Sequence, residues 1–215
     1  MEFNGFTSTD FEFFKKKDKL EKDEYEKGRN EVKNHFRGLC YEIQKMYHAK
    51  TGGVFELQKD FQNFNRRSSH ISVEHVSGIS KIFISLNYEG LDIELIFQAR
   101  DEQQCKNVLD MLANKKNIIW EQIIASKFMH IYIDQNAKNR KLRCLALNSF
   151  DMNSKTYESL IKIVEGNINE GKFNLDIGIG YSYNKKECLR QGKMILNTSY
   201  DAAVKMMELR EKLTI

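Results

Sequence analysis

The sequence predicts an α+β fold, an antiparallel-rich sheet flanked by helices, and three observations carry the prediction. A long amphipathic helical pattern comes early, strict two-residue alternation follows it, and helical and strand patterns then mix to a final helix. The 215 residues contain no proline, no repeat and no low-complexity stretch, so no linker is signalled. One compact domain over residues 1–215 is the expectation.

The elements follow in order. Thr7 with Asp10 three residues on resembles a capping box, and Phe11 and Phe14 share a face of the short helix it opens. Residues 15–33 are crowded with charges of both signs and read as a solvated charged helix, a surface open to a protein partner. Val32, Phe36, Leu39, Ile43, Met46 and Tyr47 then keep a 3.6-residue period up to Gly52 and Gly53, the mark of a long N-terminal amphipathic helix. Alternation takes over with Ile71 and Val73, then Ile82, Ile84, Leu86 and Tyr88, then Leu91, Ile93, Leu95 and Phe97. Glycine-containing turns at Ser77-Gly78 and Glu89-Gly90 make these a meander.

Asp101 caps a helix carrying Cys105, Val108, Leu109 and Leu112, and Trp120 follows it as a core anchor. Residues 128–133 and 141–147 read as a hairpin. Asn153 or Ser154 starts a helix with Tyr157, Leu160, Ile161 and Val164, closed by Gly166. Phe173, Leu175, Ile177, Ile179, Tyr181 and Tyr183 give the cleanest alternation of the chain. A C-terminal helix over residues 198–213 buries Ala202, Met206, Leu209 and Leu213.

Hydrophobic content of 41% with 30% charged residues fits a folded globular chain. The net charge of +4 is far from that of strongly basic nucleic-acid-binding domains. Residues 1–100 hold 16 basic and 16 acidic side chains and residues 101–215 hold 18 and 14, so the excess lies in the second half. There Lys138, Arg140, Lys141 and Arg143 form an acid-free cluster, a secondary basic surface, and Lys185, Lys186, Arg190 and Lys193 form another around Glu187. If the helix between strands 141–147 and 173–183 is a crossover, those strands run parallel and the two clusters fall at opposite ends of the sheet. Cys40, Cys105, Cys144 and Cys188 show no CxxC spacing; Cys105 and Cys144 sit at apolar-periodic positions and read as small buried hydrophobes, reduced in an intracellular setting. No apolar run reaches membrane-spanning length and no signal peptide opens the chain, so a cytoplasmic, non-membrane protein is expected.

The most pointed chemistry is Arg66-Arg67-Ser68 before the first strand. Two forked guanidiniums suit phosphate or carboxylate, with Ser68 or Ser69 adding a hydroxyl and His70 a titratable donor; the bland alternative is a pair of solvated or internally paired arginines. His70, Glu74 and His75 do not form a metal site on a strand, because His70 and His75 face opposite ways and His70 and Glu74 lie about 13 Å apart. Asp92 and Glu94 point together from the face opposite Leu91 and Ile93, and read as solvated; the lysine of an E-x-K nuclease pattern is missing. Asp176, Gly178, Gly180 and Ser182 line one strand face, where glycines most often admit a helix or another backbone, and the G-x-G lacks the rest of a dinucleotide loop. No GxSxG occurs, and no catalytic residue, metal or cofactor is assigned.

Two stretches carry a family resemblance. Phe6-Thr7-Ser8-Thr9-Asp10-Phe11-Glu12-Phe13-Phe14 fits an F-T-x-x-D-F-E-x-F opening, and Arg66-Arg67-Ser68 falls where a similar triplet is expected. Together they resemble the YktB-like proteins, uncharacterised bacterial proteins of α+β fold, though the prolines and tryptophan expected soon after the triplet are absent from residues 69–76. The resemblance implies a fold and no activity. The leading functional expectation is a non-catalytic module binding an anionic ligand, nucleic acid or a phosphorylated molecule, through Arg66, Arg67, Ser68 and His70. The alternatives are a metal-dependent hydrolase or nuclease using Asp92, Glu94 or Asp176, and a protein-interaction subunit using helix 15–33.

Overall fold

A computed structural model describes residues 2–58, 64–137 and 140–213. The fold is α+β. Its six strands, β1 (His70–Ser77), β2 (Ser80–Asn87), β3 (Gly90–Ala99), β4 (Met129–Ala137), β5 (Arg140–Asn148) and β6 (Leu175–Asn184), form an antiparallel sheet in the order β1-β2-β3-β6-β4-β5. The chain divides into two compact units, each assembled from three separate stretches. With the chain passing repeatedly between them, no linker marks the division in the sequence.

The first unit comprises Met1–His75, Ile82–Ile93 and Ser182–Lys205. Helix α1 (Ser8–Lys16) opens with the expected box: the Asp10 carboxylate accepts from the Thr7 N–H at 2.7 Å and from its hydroxyl at 2.9 Å. The same carboxylate holds His35 Nδ1 at 2.8 Å, so a buried acid is satisfied from two elements. Residues 15–33 are not one helix. α1 gives way to a single 3-10 turn, Lys17–Lys19, and Leu20 and Glu21 are extended before α2 (Lys22–Thr51) begins. The break is held because Lys17 is buried and the Lys17 and Leu20 carbonyls are bonded from outside the helix. α2 then buries Val32, Phe36, Leu39 and Ile43 and ends at Gly52, whose φ of +68° is the left-handed cap that a side chain disfavours. Phe3, Phe6, Phe11, Phe13, Phe14 and Tyr25 form an aromatic core with edge-on and stacked contacts at 5.1–6.1 Å.

Tyr88 does not continue the inward series of Ile82, Ile84 and Leu86. It lies in the β2–β3 turn, half-buried, where the Asn87 side chain accepts from the Glu89 and Gly90 N–H groups. The second basic run becomes a short helix, α6 (Lys185–Gln191), capped by Asn184 and packed on Cys188. α7 (Ile195–Leu213) begins three residues earlier than its periodicity predicts.

The second unit comprises Val76–Lys81, Glu94–Tyr181 and Met206–Ile215. Asp101 caps α3 (Glu102–Asn114) through the Gln104 N–H; Met111 rather than Leu109 joins Cys105, Val108 and Leu112 in the core. Trp120 lies on α4 (Lys116–Ile124), half-buried against Tyr157. α5 (Ser154–Asn169) runs past Gly166 because Gly171, at φ +67°, supplies the left-handed turn instead. Its Tyr157 donates to the Leu112 carbonyl of α3 at 2.8 Å. β4 pairs antiparallel with both β5 and β6, so β5 and β6 run parallel with β4 between them, as the crossover argument requires. A bulge at Ile133/Asp134 leaves Cys144 as the extra residue of β5, and the thiol read as buried is exposed.

Candidate anion-binding site

The loop before β1 is built on the aromatic core of the first unit. Phe64 packs 5.9 Å from Phe13 and 5.6 Å from Phe14, centroid to centroid, and Arg29 Nε donates to its carbonyl at 2.7 Å. Asn65 then organises a tight turn: its carbonyl accepts from the Ser68 N–H at 3.0 Å and its side-chain oxygen from the Arg67 N–H at 2.9 Å. The two stretches that carry the family resemblance thus meet, the phenylalanines of α1 supporting the turn that presents the arginines.

The adjacent arginines separate. Arg66 turns inward: Nη1 donates to the Lys17 carbonyl at 2.7 Å, Nη2 to the Leu20 carbonyl at 2.9 Å, and the guanidinium lies 4.2 Å from the centre of the Tyr25 ring. Lys17 Nζ donates back to the Arg66 carbonyl, closing a reciprocal clasp. Burial raises the phenol pKa of Tyr25, so the ring stays neutral beneath the cation. Arg66 is therefore a structural residue, and the anion reading narrows to its neighbour.

Arg67 is exposed. It lines a groove of about 300 Å³ with Ser68, Ser69, His70 and Ser72, over an apolar floor of Phe64 and Ile71. Ser69 Oγ lies 3.1 Å from His70 Nδ1, and the imidazole stands edge-on to Phe83 at 5.8 Å. The groove therefore offers one fork of charged donors, three hydroxyls and one imidazole in a space at the lower end of the range for small-molecule sites.

The carboxylates considered for metal chemistry are engaged one by one. Asp92 accepts from Asn87 Nδ2 at 3.1 Å and from Ser182 Oγ. Glu94, read from sequence as solvated, is buried: His130 Nε2 lies 2.8 Å from one oxygen, and the Tyr132 hydroxyl donates to the other at 3.1 Å. Both reach it from β4 across β6 because Gly180 and Gly178 oppose them in register. A Cβ at Gly178 would lie 2.2 Å from the Tyr132 ring, so the strand glycine admits a side chain here, not the helix or backbone expected of it. Asp134 and Asp176 oppose each other in the same register, each neutralised by its own arginine, Arg143 and Arg100. Arg143 also lies 3.9 Å over the Tyr132 ring. Burial, and then the Glu94 charge, drive the phenol pKa of Tyr132 far upward. Among the described residues no group of three metal-ligating side chains converges.

Of the secondary basic surface, Lys138 lies outside the described residues, Arg140 and Lys141 open the edge strand β5, and Arg143 is paired to Asp134. In the other run Lys185 pairs with Glu12, Arg190 with Glu187 and Lys193 with Glu2. Sequence reasoning missed Lys17, His130 and Tyr132. The signal for the last two was present in the polar alternation of His130, Tyr132 and Asp134 opposite a strand with two facing glycines. Among known proteins, no family model matches the chain and no curated protein matches it.

Proposed function

We propose that the protein is a non-catalytic binding module for a small phosphorylated ligand, held in the groove at residues 67–72. The observation that carries this reading is the convergence of the exposed Arg67 guanidinium with Ser68, Ser69, Ser72 and His70 in one groove. A planar guanidinium meets two phosphate oxygens at once, while hydroxyls and an imidazole donate to the third. The groove's size fits a phosphoryl group with a small body attached, rather than a long chain.

Calorimetry with inorganic phosphate, phosphoserine and citrate tests it. Phosphoserine binds, citrate binds more weakly, and Arg67→Ala loses about tenfold or more in affinity, as expected for one charge-assisted pair. Arg67→Lys recovers part of the loss, because it restores the charge without the fork. Equal phosphoserine affinity in wild type and Arg67→Ala rejects the reading.

A further inference from the structure

We infer, resting on the phosphate reading above, that the groove at residues 67–72 takes a phosphate monoester of a polyol, such as a glycerol or hexose phosphate. The polar groups of the groove are unequally used. Ser68 Oγ accepts from the Asn65 N–H at 3.1 Å and so belongs to the turn. Ser69 Oγ and His70 Nδ1 pair with each other at 3.1 Å. Two groups are open. Among the described residues, the Arg67 guanidinium makes no hydrogen bond or ion pair, its backbone N–H alone being bonded, and the Ser72 hydroxyl makes none either.

The two open groups lie apart. Arg67 stands in the turn before β1, whereas Ser72 is within the strand, on the face of His70 and about 6–7 Å further along. A phosphoryl group on the Arg67 fork therefore leaves Ser72 to meet a second polar group of the same molecule.

The lining selects among bodies. Among the described residues no carboxylate lines the groove, so an ammonium group finds no counter-charge there; Glu74, the next acid along β1, is outside the lining. Phe64 and Ile71 are 2% and 1% exposed, so the protein already covers the apolar floor and leaves a phenyl ring or acyl chain little area to bury. Polyol hydroxyls match what remains. Each both donates and accepts, as the hydroxyls of Ser69 and Ser72 do. A volume of about 300 Å³ holds one small ring or a short carbon chain beside the phosphoryl group.

The test is calorimetry with glycerol 3-phosphate, glucose 6-phosphate, phosphoserine and phenyl phosphate, which share a phosphoryl group and differ in body. The two polyol phosphates bind about fivefold or more tighter than the other two, the yield of one neutral hydrogen bond. Ser72→Ala removes that preference, while Ser72→Thr, which keeps a hydroxyl, retains most of it; circular dichroism checks that both variants are folded. Phenyl phosphate or phosphoserine binding as tightly as glycerol 3-phosphate overturns the inference. So does a folded Ser72→Ala variant that keeps the preference, or one that weakens glycerol 3-phosphate and phenyl phosphate alike. Arg67→Ala separates this failure from that of the phosphate reading, because it weakens all four ligands about tenfold or more when Arg67 holds the phosphoryl group. Four weakened affinities without a preference among bodies remove the polyol and leave the phosphate site. Four affinities unchanged in Arg67→Ala remove both.

Discussion

The loop at Arg66 and Arg67 and the cluster around Glu94 both gather charge, and they handle it in opposite ways. In the loop, two identical neighbours part: one guanidinium is spent on two backbone carbonyls and a tyrosine face, and the next is left at a groove in water. Around Glu94, residues from three strands come together, and the carboxylate is buried with a donor for each oxygen. Buried polar groups are costly when left unsatisfied and nearly neutral when fully bonded. The difference teaches where function is to be sought: a charge whose bonds are closed within the fold locks a register, and one whose bonds are open is available to a ligand.

The comparison breaks most severely at Gly178. Gly178→Ala drives a methyl into the Tyr132 ring, and the loss of packing with displaced hydrogen bonds costs about 3 kcal/mol in urea unfolding. A stable, soluble alanine variant contradicts the close fit of Tyr132 over Gly178. Next, Arg66→Ala costs about 2 kcal/mol by releasing two carbonyls and the Tyr25 face, whereas Arg67→Ala stays within about 0.5 kcal/mol of wild type. Equal costs for the two arginines remove the distinction between inward and outward roles. Tyr132→Phe, which deprives Glu94 of one donor, costs about 1–2 kcal/mol.

A smaller effect lies in alkali. The phenols of Tyr132 and Tyr157 are held neutral by burial, and the Cys188 thiol is pushed up to about 12 by the same cause. Above the ordinary thiol and then phenol ranges the unfolded chain sheds protons that the folded chain keeps, so their contribution is complete below about pH 8 and stability falls as pH rises further. Thermal melts of Tyr132→Phe show a shallower decline there than wild type. The smallest effect is one of reactivity: Cys144 is exposed, and burial raises the thiol pKa values of Cys40, Cys105 and Cys188. Ellman's reagent therefore titrates one thiol quickly in the native protein and four after denaturation.

Periodicity made the α+β class, the early helix, the meander and the last helix legible, because each buries one face. It failed where tertiary bonds decide. The turn at residues 17–21 hides in a charged stretch because its cause, Arg66, lies over 40 residues away. Tyr88 continues an alternation by residue type alone, while the Asn87 side chain ends the strand. Glu94 alternates as a solvated residue does, and its burial depends on two glycines of β6. The Arg-Arg-Ser triplet was visible as a motif, but the division of labour within it required the turn at Asn65.

One further consequence concerns β5, the strand at one edge of the sheet. An edge with unpaired peptide groups is a template for another chain, and flat apolar edges nucleate fibrils. Here the ladder is broken near its middle by the bulge at Cys144, and the strand carries Arg140, Lys141 and Arg143 in its first half. Bend and charge together make stacking of copies in register unfavourable. Residues that looked in sequence like a binding surface thus belong to an edge strand whose ladder is interrupted, the kind of edge to which a further strand adds poorly.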